Sequence, residues 1–426
     1  MDAIQIKKLL PLLMTSLAWD LNFRLTFKNM DGHMDLGSYP ALKFEPIIIL
    51  IKNILCGIIF LMMYFLSKKM NSSGKEPPKL LTVTTENSKI IYQYTEGKTS
   101  FLGALIKYHN LYSKQSQILF CIKIVLLILA IYIFEEIYFI IANTHILDRL
   151  NVPMRNLSVL VTIFIFSSLL IKKQFKLYLH QLIPSIIVIG TSLFIILFNA
   201  TSVTRFKKVF NINFLYYMII YVLFGLEIVL IKYLTDIQFI NSLLILGLKG
   251  IIGTIAFIVV NIFINGEKLF YFVDKFMVFE YDYMYEEFSI TPKIFYIITT
   301  IIFQYLKIFI INEYSESHFL AVAMISDVFF FPLYFIEKFG VQKFPITTSS
   351  TFYLNIIFGV LNALLLLIFI EVIEVKFCGI EKNLNKNIEK RENKEMEDQN
   401  YYYKDNESDI DLDSSLSYRN STEEII

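Results

Sequence analysis

Six ionisable residues sit inside stretches of this chain that are otherwise apolar: Lys52, Glu135, Glu136, Glu227, Lys249 and Asp327. A charge placed at the centre of a bilayer costs a few kcal/mol on insertion scales, so such residues are retained for a reason. Lysines at these depths can neutralise an anionic group, and carboxylates deprived of water can take up a proton. Lys52 and Lys249 admit two readings. They form a pair of cationic groups facing a central cavity, or each is held in a structural ion pair with a neighbouring carboxylate. Glu135 and Glu136 are adjacent and therefore about 100° apart on a helix, so both can hardly face lipid. One is expected to partner a lysine while the other exchanges a proton. Glu227 and Asp327 read as proton-coupling sites or as ion-pair partners. Arg155, at the mouth of an apolar run, attracts anions or anchors the helix at the interface.

Lys123, Lys307, Glu371 and Glu374 stand within about two turns of a run's end and are expected to extend to the interface. His145 and His318 fall at inter-helix turns, where capping or surface roles are expected, because no acid or thiol shares metal-ligand spacing with them.

The elements that must position these residues are long apolar segments. The chain is 55% hydrophobic and 18% charged, with a mean hydropathy of +0.56, above the about 45–50% apolar content of soluble chains. Segments near 9–27, 46–66, 117–141, 153–171, 182–199, 214–234, 239–263, 293–311, 319–336 and 351–375 are expected to be spans. They are too long and too unalternating for barrel strands, so helix must satisfy their backbone groups. Lys7 and Lys8 ahead of Leu9 to Ala18 could also head a signal peptide, but no small-x-small cleavage site follows.

Residues 67–116 are expected to form a cytosolic loop and 378–426 a charged, disordered tail. Lysine and arginine placement favours cytosolic termini. A net charge of +1 with no basic, aromatic-laced patch excludes a nucleic-acid partner, and three scattered cysteines form neither a disulfide framework nor a metal site.

The chain also resembles itself. Phe139 to His145 recurs loosely as Phe309 to His318, Lys173-Gln174-Phe175 as Gln342-Lys343-Phe344, and Gly190 as Gly359, at offsets of 169 to 173. Leu50-Ile51-Lys52-Asn53-Ile54-Leu55 parallels Gly247-Leu248-Lys249-Gly250-Ile251-Ile252 at an offset of 197. A repeat of five spans has an odd count, so the second copy, 201–377, must enter the membrane inverted relative to the first, 1–200. Inverted repeats with a site between the halves are a mark of secondary transporters.

On short motifs the sequence resembles the drug/metabolite transporter superfamily, and within it the nucleotide-sugar-transporter-like (solute carrier 35, EamA-like) branch. Pro153-Met154-Arg155-Asn156-Leu157-Ser158-Val159-Leu160-Val161-Thr162 is similar to the Arg-x-Ser-Val-x-x-Thr segment of that family, and Leu169 to Phe175 to its short basic turn. Gly225 to Leu234 resembles its sixth helix, and Glu371 to Asn383 the exit from its tenth. The resemblance implies ten helices, cytosolic termini, alternating access and an endomembrane location. Ser315-Glu316-Ser317-His318-Phe319-Leu320 lacks the Pro and Arg often found there, and no sugar-nucleotide motif stands in helix seven.

The expected protein is therefore an all-α polytopic membrane protein: ten transmembrane helices in two inverted five-helix repeats, followed by the tail. The expected function is secondary transport of a small polar or charged metabolite, such as a nucleotide sugar or another organic anion. Membrane lipid and that small molecule are the partners; a homodimer is left open, and no cofactor is implied. A lipid-modifying membrane enzyme would need a convergent Asp-x-x-Asp or His-x-x-x-x-Asp set, which is not found. A receptor or scaffold signalling through the tail would not need opposed halves.

Overall fold

A computed structural model describes residues 6–31, 49–62, 65, 113–145, 151–171, 179–202, 212–238, 240–265, 290–326 and 349–373. Asp327, most of the 67–116 loop and the whole 378–426 tail lie outside the described residues. So do 327–336, the second part of the ninth expected span.

The described chain is helical throughout. The helices are α1 (Ile6–Asp31), α3 (Lys114–His145), α4 (Asn151–Phe166), α5 (Leu179–Ser202), α6 (Ile212–Asp236), α7 (Ser242–Asn265), α8 (Ile290–Glu313) and α10 (Ser349–Phe369). Two shorter ones complete the order, α2 (Ile49–Met62) and α9 (316–326). Each of the ten expected segments is thus helical where it is described, except at residues 240, 241 and 370–373. Five of the helices are long and apolar enough to cross a membrane, the stretches Lys114–Ile137, Gln181–Phe198, Met218–Asp236, Ser242–Val259 and Ile294–Glu313.

What the helices expose identifies the solvent. On α3, Ile118, Leu119, Ile122, Val125, Leu126 and Ile133 recur at helical spacing and are all exposed. Leu182, Ile186, Leu193 and Leu197 form a similar exposed face on α5. Lys52, Lys249, Lys307, Glu135 and Glu227 are buried. Apolar residues outside and charges inside is the reverse of a water-soluble core. The protein is an all-α membrane protein.

Packing brings sequence-distant helices together. α1 lies against α8, α3 and α4 against α6, α5 against α10, and α7 against both α3 and α8. Trp19 of α1 stacks on Phe319 of α9 with ring centroids 5.5 Å apart, and meets Phe303 of α8 and Phe224 of α6 edge-on at 5.1 and 6.1 Å. Ser16 of α1 also donates to the carbonyl of Val322 on α9 at 3.0 Å.

α2 and α7 cross at glycine. A Cβ on Gly247 would come within 2.5 Å of Cβ of Phe60, and one on Gly250 would strike the backbone of Gly57 and Asn53. This close approach, available only to residues without a side chain, brings the helices that carry Lys52 and Lys249 into contact.

Two helix ends are irregular. α4 runs into one π-helical turn, Ser167–Ile171. α10 closes with Glu371 at φ 60°. The Glu371 N–H donates to the carbonyl of Ile368 and the Val372 N–H to that of Leu367, both at 3.0 Å, the paired bonds of a Schellman cap.

Candidate functional site

Five helices contribute to a buried polar centre. α3 supplies Tyr132, Glu135 and Glu136, spaced i, i+3, i+4 on one side of the helix. The roughly 100° between consecutive residues turns the two carboxylates to different neighbours. Glu136 accepts from Lys52 Nζ of α2 at 2.5 Å. Glu135 accepts from two ammonium groups at once, Lys249 of α7 on Oε2 and Lys307 of α8 on Oε1, the latter at 2.9 Å. Lys307 also donates to Oε1 of Glu227 on α6 at 2.5 Å. Beside these ion pairs, the Asn53 side-chain amide donates to the Tyr132 hydroxyl at 3.0 Å.

Three lysines meet three glutamates, in one separate pair and one unbranched series, so the formal charges cancel. The connected part runs Lys249, Glu135, Lys307, Glu227, alternating in sign. Removal from water costs several kcal/mol per ion even after relaxation, and close opposite charges offset that cost. Three buried side-chain oxygens on the helices of this centre nevertheless have no hydrogen-bond partner among the described residues: Glu136 Oε2, Glu227 Oε2 and Gln304 Oε1. All three are acceptors.

Five of the seven expected site residues are brought together here: Lys52, Glu135, Glu136, Glu227 and Lys249. Both glutamates of the adjacent pair hold a lysine, where one was expected to. Arg155 lies in the first part of α4, with its side chain outside the described set, and Asp327 is outside the described residues altogether.

The reading of Lys307 as an interfacial lysine is corrected. It is 1% exposed and links Glu135 to Glu227. Distance from the helix end misled, because it ignores the face on which a side chain stands. Thr300, Gln304 and Lys307 are all buried and recur at i, i+4, i+7, a polar stripe on an apolar helix. That stripe was the available signal. Glu371 is also buried, at 3% exposure, in the cap of α10, so it too departs from the interfacial reading. Lys123 does stay at the surface, where it donates to the Tyr233 hydroxyl at 2.7 Å.

A second polar cluster closes one end of the bundle. Lys232 at the end of α6 donates to the carbonyls of Asn312 and Tyr314 at 3.2 and 3.4 Å, and pairs with Asp236 at 3.2 Å. Ser167, in the π-helical turn, donates to Glu316 of α9 at 3.0 Å. His318 stacks on Tyr314 at 5.2 Å and its Nδ1 lies 2.7 Å from Ser315 Oγ, which places it in the cap of α9. His145 ends α3, with its side chain outside the described set.

No protein-family model matches the chain, and no curated protein matches it at a significant level.

Proposed function

We propose that this membrane protein is a secondary transporter of a small polar or charged metabolite, working by alternating access between two five-helix halves. The observation that carries the reading is the ionic centre. Glu135 of the first half holds Lys249 and Lys307 of the second, so the charges sit where two moving halves would meet. Substrate sites of inverted-repeat transporters lie at such a repeat interface.

The pattern of helix neighbours supports the same reading. Replacing each helix by the one five places along turns the α1–α8 contact into α6–α3, and α1–α9 into α6–α4; both members of each pair occur. The α2–α3 contact made by Lys52 and Glu136 becomes α7–α8, which also occurs. The contacts α5–α10 and α2–α7 map onto themselves. Two halves packed about a pseudo-two-fold axis have this property. Relationship to the drug/metabolite transporters, cytosolic termini and an endomembrane location belong to the proposal.

An anionic substrate group would reach Lys249 by exchanging with the Glu135 carboxylate. Exchange in proteoliposomes, comparing wild type with Lys249→Ala across anionic and cationic solutes, tests this. Anion exchange lost in the variant is expected. Failure of every nucleotide, sugar phosphate, amino acid and amine to exchange with wild-type protein would sink transport as the function.

A further inference from the structure

We propose that Glu227 is a proton-binding site: its free Oε2 takes a proton from water, and transport is coupled to that proton. The coupling clause rests on the transport reading above, whereas the protonation site stands on geometry alone.

Two features single out Glu227 among the glutamates of the centre, and a third it shares with Glu136. First, it stands at the end of the alternating series. Glu135 has an ammonium group on each oxygen and Glu136 has Lys52 to itself, whereas Glu227 shares one ammonium, that of Lys307, with Glu135. Second, its side chain has 0% exposure, against 10% for Glu135 and 11% for Glu136, so water does least to support its charge. Third, its Oε2 is a buried acceptor with no partner among the described residues, and a protonated carboxyl supplies the one hydrogen-bond donor that a carboxylate lacks.

The charged groups around Glu227 pull in both directions: the Lys307 ammonium favours the carboxylate, and the neighbouring Glu135 carboxylate favours the acid. α8 brings Lys307 and the neutral Gln304; α3 brings Glu135, and α7 brings Lys249 on the far side of Glu135. The stretch of α4 from Asn156 to Ile171 contains no ionisable residue. Glu316 and His318 of α9 are engaged with Ser167 and Ser315 at the other polar cluster. On protonation the Lys307–Glu227 pair loses its charge attraction while Lys307 keeps its bond to Glu135. The centre passes from neutral to one net positive charge. A water-poor site does not hold an uncompensated charge cheaply, which ties the proton to a second event, the arrival of a negatively charged group or a rearrangement of the halves.

The test is infrared difference spectroscopy on the full chain in lipid nanodiscs, reading the carbonyl stretch of a protonated carboxylic acid between about pH 5 and 8, the window in which proton coupling operates. A band growing as pH falls is expected in wild type, absent in Glu227→Gln and retained in Glu136→Gln. A band that survives Glu227→Gln, or no band in wild type, overturns the proposal. Should Glu227→Gln fail to fold, Glu227→Asp keeps the acid and moves it by one methylene. A shift in the band's frequency then supports the assignment, and an unshifted band overturns it. The spectroscopy needs no substrate, so it fails separately from transport. A Glu227 band with no solute exchange upholds the proton site, and exchange without the band removes it.

Discussion

Lys307 is the residue on which the ionic centre turns, because it alone among the described lysines is shared by two carboxylates. Removing one member of a buried pair leaves an unpaired charge and costs about 3–5 kcal/mol. Lys307→Met is therefore expected to lower thermal stability in detergent by an amount in that range. The double variant Lys307→Met/Glu227→Gln should recover part of it, since the orphaned carboxylate is gone. Losses in the two single variants that add up to the loss in the double variant, measured as a thermal double-variant cycle, would show that the pair is not coupled. Salt is expected to matter little, because ions screen buried pairs far less than exposed ones. A melting temperature that drops steeply with ionic strength would contradict the burial of the centre.

Helix crossings decide which residues meet at the next scale. Gly250 lets α7 approach α2 until a Cβ would strike backbone, and backbone cannot turn aside as a side-chain tip can. Gly250→Ala is expected to destabilise by about 1–3 kcal/mol, the usual cost of overpacking. It should also weaken the centre by separating the helices of Lys52 and Lys249. Gly190 offers the contrast within the same bundle. No atom of the described residues lies within 4 Å of a Cβ added there, so Gly190→Ala should be neutral or stabilise by up to about 1 kcal/mol through helix propensity. Thermal unfolding of the two variants side by side checks both, and the reverse order would place the α2–α7 contact elsewhere.

For the whole molecule, lipid takes the place that water has around a soluble fold. The apolar face of α3 is exposed while lysines are buried, so position rather than residue type decides the cost of a charge. Leu126→Lys, on that outer face, is expected to impair insertion by about 2.5–3.5 kcal/mol, the cost of a lysine at a helix centre. The check is a glycosylation-mapping insertion assay on the α3 segment. Insertion as efficient as wild type would mean that this face does not meet the hydrocarbon.

Hydropathy alone was enough to locate the helical segments and to mark the charges within them, because a backbone in lipid must close its own hydrogen bonds and an intramembrane charge stands out against an apolar run. Lys52, Glu135, Glu136, Glu227 and Lys249 could be named for that reason. Their pairing could not, since partners lie 80 to 172 residues apart in sequence and spacing along one helix says nothing about which helix lies opposite. Lys307 shows the same limit: distance to its helix end was legible, but the direction of its side chain depended on α3 and α6 lying beside α8. Whether each lysine met an open cavity or a carboxylate was settled by helix packing, in which close glycine contacts and the opposed faces of α3 set the distances between charges.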